Sequence, residues 1–105
     1  MKVHRKILTT LKGDIVQHPL AITVHNEGTH YDERVALYKT MTHRQYRAYL
    51  LKLVCATVRR ERNEFNVKHS AVDVATAVAE LHDSMKAHVD EWEAMKKADL
   101  LLQGA

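Results

Sequence analysis

The stretch VHNEGTHYDER, residues 24–34, places His25, Glu27, His30, Asp32 and Glu33 within eleven residues. Every one of these side chains can ligate a metal or move a proton. Such chemistry needs its groups on one face of an element, and this group straddles a Gly28-centred turn. The two histidines show neither HExxH nor HxH spacing, and no CxxC pattern accompanies them. Asn, Gly, Thr and acids are also the ordinary content of an exposed connection. The composition therefore predicts a polar hairpin tip without metal, from which His25, Glu27 and His30 could touch a partner. A metal-dependent hydrolase built on His25, Glu27 and His30 is the minor alternative.

Other catalytic patterns are weaker still. The eight histidines are scattered, and His82 and His88 lie six apart, too far round a helix to chelate together. The His82-Asp83 dipeptide is too short a pattern to carry an assignment. Only Ser70 and Ser84 offer a serine nucleophile, neither in a G-x-S-x-G context, and Ser70 sits where a helix cap is needed. Cys55 is flanked by Val54 and Ala56 and reads as a small, semi-buried apolar residue. Glycines at 13, 28 and 104 cannot build a phosphate-binding loop. The expectation is a non-enzymatic protein with no cofactor.

The positive signal is a row of cations. At about 100° per residue, Arg44, Arg47, Lys52, Arg59 and Arg62 share one arc of about 140° on a helix. Tyr46, Leu50, Leu53 and Thr57 fall on the opposite side and form with Val54 the inward stripe, as an amphipathic helix requires. Arginine forks suit phosphate oxygens, so this face predicts contact with nucleic acid or a nucleoprotein. Leu51 and Val58 border it, and Arg60 would point inward. An acidic protein partner is the competing occupant. In that alternative the chain is a protein-directed inhibitor or adaptor, of the viral accessory type, that blocks a larger enzyme. The pattern does not distinguish DNA from RNA.

The elements that must position these residues follow from periodicity. Leu20, Ile22 and Val24 alternate with Ala21, Thr23 and His25, and Val35 and Leu37 alternate with Ala36 and Tyr38. Period-two patterning on both sides of a polar stretch predicts an antiparallel hairpin, with Pro19 marking an edge or break. Residues 3–11 fit a third strand, by their two threonines, or a short helix, by Val3, Ile7 and Leu11 at four-residue steps. Thr42 and Gln45 have capping-box spacing, and Met41 and Tyr46 that of a hydrophobic staple, which together start a helix near residue 43. That helix should fade near Asn63. Ser70 and Asp73 open a second helix, and no Gly or Pro interrupts it before Gly104. Ala71, Val74, Val78, Leu81, Met85, His88, Trp92 and Met95 form a seam at alternating three- and four-residue steps. A helix of about 50 Å overshoots so small a core. Its far half, with Met85, Trp92 and Met95, is therefore expected to self-associate.

The expected fold is α+β in one domain over 1–105: strands or a hairpin over 1–41, a basic amphipathic helix over 42–63 and a long helix over 70–103. The 105-residue length fits one domain. The net charge of +3 hides a polarity. Residues 1–69 hold 13 Lys/Arg against 6 Asp/Glu, and residues 70–105 hold 3 against 7. No apolar run is long enough for a membrane span, and ILTTL is too short for a signal-peptide core. A lone cysteine excludes an internal disulfide and fits a cytoplasmic protein. The partners expected are thus nucleic acid or an acidic or nucleoprotein partner and a second copy of the chain, with no membrane.

Overall fold

The computed structural model describes residues 16–27 and 31–104. Among these, 88% are helical and none lies in a strand. Four helices follow in order: α1 Pro19–Glu27, α2 Tyr31–Thr40, α3 His43–Phe65 and α4 Ala71–Gly104. The α+β expectation is therefore wrong: the regular structure of the described residues is all helical. The alternatives weighed for residues 3–11 lie outside the described residues.

The supposed hairpin consists of two short helices, and the reason is visible in the packing. Val16, Leu20 and Val24 are four residues apart and all at most 5% exposed, while Ala21 is 0% exposed. Alternation cannot bury both Leu20 and Ala21, whereas a helix face does so naturally. Pro19 is the first residue of α1, where its missing N–H costs nothing and its fixed φ is already helical. His18 caps the turn, its Nδ1 accepting from the Leu20 N–H at 3.1 Å. Thr23, a strand former by propensity, donates its hydroxyl to the Pro19 carbonyl at 3.0 Å and so fits the helix. In α2, Asp32 and Glu33 occupy the first turn and Lys39 the last, each suited to the helix dipole. β-branched content and period-two spacing were real features of the segment. Packing against α4 overrode them.

The two longer helices begin where the caps predict. The Thr42 hydroxyl accepts from the Gln45 N–H at 3.1 Å, and the Gln45 side chain accepts from the Thr42 N–H at 2.9 Å. The Ser70 hydroxyl accepts from the Asp73 N–H at 3.1 Å, and Asp73 accepts from the Ser70 N–H at 2.8 Å. α3 runs two residues past Asn63 and stops at Asn66, whose φ of 55° is left-handed. The Asn66 N–H donates to the Arg62 carbonyl and the Val67 N–H to the Glu61 carbonyl, closing the helix end.

α3 and α4 run antiparallel. His69, just before α4, meets Glu61 near the end of α3 at 2.6 Å, while Arg47 near the start of α3 reaches His82. Tyr46, Leu50 and Val54 of α3 pack with Val78, Leu81 and Met85 of α4, and Leu20, Ala21 and Val24 of α1 complete the core. Glu80 holds the start of α1 by accepting from the N–H groups of Gln17 and His18 at 2.9 and 2.8 Å. α2 lies toward the far part of α4, where Lys39 pairs with Glu93 at 3.6 Å. Beyond Val89, residues 90–103 of α4 are all exposed among the described residues. The helix of 34 residues accounts for most of the 58 Å long dimension.

Candidate functional site

The cationic face of α3 survives in three dimensions. Arg44, Arg47, Lys52, Arg59 and Arg62 are all exposed, and Tyr46, Leu50, Val54 and Thr57 on the other side are buried. The 18 steps from Arg44 to Arg62 extend the row over about 27 Å. The helix keeps its face charged because its two acids are engaged elsewhere. Glu61 is held by His69, and Glu64 pairs with Arg60 at 3.8 Å. Among the described residues no carboxylate pairs with Arg44, Lys52, Arg59 or Arg62. Arg60, expected to point inward, is exposed. Within the row Leu51 is 45% exposed, and Cys55 is partly covered.

Arg47 differs from the others. Its Nε donates to Nδ1 of His82 at 3.4 Å, so one edge of its guanidinium is turned toward the core. His82 itself is 4% exposed. Around it stand Tyr38 from α2 and His43 and Tyr46 from α3, with ring centroids at 6.0, 4.9 and 6.0 Å. Burial, reinforced by the nearby Arg47 and His43, pushes the His82 pKa below its ordinary value of 6.5. This cluster was not legible beforehand. His43 and His82 are far apart in the chain, and no spacing rule links residues on separate helices.

The loop residues fare differently. His25 sits in the last turn of α1 rather than on a strand. Glu27 closes the same helix, its side chain outside the described set, and His30 also lies outside the described residues. A hairpin tip is thus replaced by the end of one helix and the start of the next. Among the described residues no group of three His, Cys, Asp or Glu side chains could hold a metal ion. Asp73 is spoken for structurally. The Ser70 N–H and the His18 ring hydrogen-bond it and hold its carboxyl below the usual carboxylate range.

Of the residues assigned to self-association, Met85 is 5% exposed and belongs to the chain's own core. Trp92 and Met95 are 53% and 66% exposed. They share with Lys96, Ala98, Asp99 and Leu102 a shallow groove of about 540 Å³. A smaller cleft of about 240 Å³ opens beside it between Val35 and Lys39 of α2 and His88 and Trp92 of α4. No described helix is long and apolar enough to cross a membrane. No family model, curated protein or solved structure matches the chain.

Proposed function

We propose that this protein is a small non-catalytic binding protein whose α3 face contacts nucleic acid or a nucleoprotein. The observation that carries the proposal is the row of five exposed cations on α3, four of them without a carboxylate partner among the described residues. Unneutralised arginines along one helix suit a polyanion with regularly spaced phosphates. Each contact gains from counterion release, and arginine forks add bidentate hydrogen bonds. In this reading the protein works in the cytoplasm as a homodimer. Trp92 and Met95 on the exposed C-terminal part of α4 would meet the same residues of a second copy, withdrawing an apolar patch from water. The test is fluorescence anisotropy with labelled duplex and single-stranded oligonucleotides at low salt. Binding that weakens steeply with added salt supports the reading, and no binding to either probe removes it.

A second reading is favoured by Leu51, which is 45% exposed in the middle of the cations. A phosphate backbone has no use for an apolar side chain there, but an acidic protein surface with an apolar centre does. The chain would then be an inhibitor or adaptor directed at a larger protein. Affinity capture with and without nuclease separates the two. Partners lost on nuclease treatment support nucleic acid, and a partner retained supports the inhibitor.

A further inference from the structure

We propose that His82 is a buried proton sensor for the basic face of α3, coupled to it through Arg47, so that anion binding on that face and protonation of His82 favour each other. The proposal rests on the anion-binding reading of that face and adds its regulation.

The geometry sets the coupling. Nδ1 of His82 accepts from Arg47 Nε at 3.4 Å. An accepting Nδ1 places the proton of the neutral ring on Nε2. That Nε2 is buried and has no hydrogen-bond partner among the described residues. A second proton can therefore enter only at Nδ1, the atom that now receives Arg47. Once protonated, Nδ1 becomes a donor and can no longer accept, and two cations stand face to face. Arg47 must then leave toward solvent, where its whole guanidinium fork is free for an anion. Conversely, an anion that draws Arg47 outward removes a positive charge from beside the ring and vacates Nδ1 for a proton. Reciprocity requires both effects to have the same size.

The other groups facing the ring set the direction. From α2, Tyr38 contributes an aromatic wall. From α3, His43 lies edge-on at 4.9 Å, and it and Arg47 both resist a charge on His82. Tyr46 packs beside them. From α4, Lys86 also opposes the charge, while Asp83, with Oδ1 at 3.9 Å from Nδ1, favours it. The Asp83 side chain is 62% exposed and well solvated, so it does not offset burial. α1 adds apolar Leu20 and Val24 to the core. His82 is thus held neutral at rest, and Arg47 is the part of that restraint an external anion can remove.

The experiment follows the His82 ring by NMR during a pH titration of the intact protein. The midpoint is expected below 6.5 in the wild type, higher in Arg47→Ala, and higher in the wild type with inorganic pyrophosphate present. In parallel, oligonucleotide affinity is compared near pH 7.5 and near pH 5.5 for the wild type and His82→Gln. The wild type gains more on acidification than His82→Gln, by about tenfold for each tenfold rise in His82 proton affinity on binding. A His82 midpoint unmoved by both Arg47→Ala and pyrophosphate overturns the coupling, as does an equal pH gain in His82→Gln. If the wild type ignores oligonucleotides at both pH values, the nucleic-acid reading fails, and the pyrophosphate and Arg47→Ala titrations still decide the coupling.

Discussion

Removing Arg44, Arg47, Arg59 and Arg62 together, by change to alanine, should erase most of the salt dependence of nucleic-acid binding. If all five cations of α3 each neutralise one phosphate of a duplex, the slope of log K against log salt is about −4.5. Affinity then falls about 500-fold between about 50 and 200 mM salt. With only Lys52 left, the slope drops to about −0.9 and the same change in salt costs about fourfold. The four side chains are exposed, and only Arg47 touches the core, through its hydrogen bond to His82, so circular dichroism of the variant must first show the helical fold intact. The variant also moves the net charge from +3 to −1, and that needs a control. Changing Lys39, Lys86, Lys96 and Lys97 instead removes four charges from α2 and α4 and should leave most of the slope in place. Anisotropy titrations on a duplex of about 20 base pairs, at four or more salt concentrations, measure all three proteins. Equal slopes for the two quadruple variants would refute a localised site and leave only diffuse attraction by net charge.

Leu81→Ala, at a position 4% exposed in the core, should cost about 2–5 kcal/mol and leave the domain largely unfolded by circular dichroism. Trp92→Glu should leave the melting temperature nearly unchanged and convert dimers to monomers in light scattering, and a wild type that is already monomeric at tens of micromolar removes the dimer. Thr42→Ala breaks the capping box of α3 and should cost about 1 kcal/mol, or several degrees in melting temperature. Stability should also fall in acid because of His82. Above pH 6.5 its ring is neutral folded or unfolded. Below 6.5 the unfolded chain takes up a proton that the buried ring resists, so the fold loses stability progressively. Denaturant midpoints measured down the pH scale should show this decline, and His82→Gln should lessen it.

Information that lies within one or two helical turns was legible in the sequence. The start of α3 at Thr42 and Gln45 and that of α4 at Ser70 and Asp73 are local hydrogen-bond patterns, readable from residues three apart. The cationic arc of α3 is likewise a matter of one helix's own periodicity, and its exposure followed from the apolar residues opposite. The first two helices are not legible in the same way, because Leu20, Ile22 and Val24 satisfy a period of two as well as a helical face. Only the burial of Ala21 in the core shared with α3 and α4 distinguishes them. The sequence does not separate core Met85 from exposed Trp92 and Met95, because the seam of α4 runs on without a break. Among the described residues, burial ends near Val89, as the lengths and placement of α1, α2 and α3 decide. The environment of His82 depended on tertiary structure altogether. It is the meeting of Tyr38, His43, Tyr46 and Arg47 from two other helices that dries the ring and ties it to the basic face. A burial penalty of that kind arises only when separate helices close over one atom, and no linear spacing encodes it.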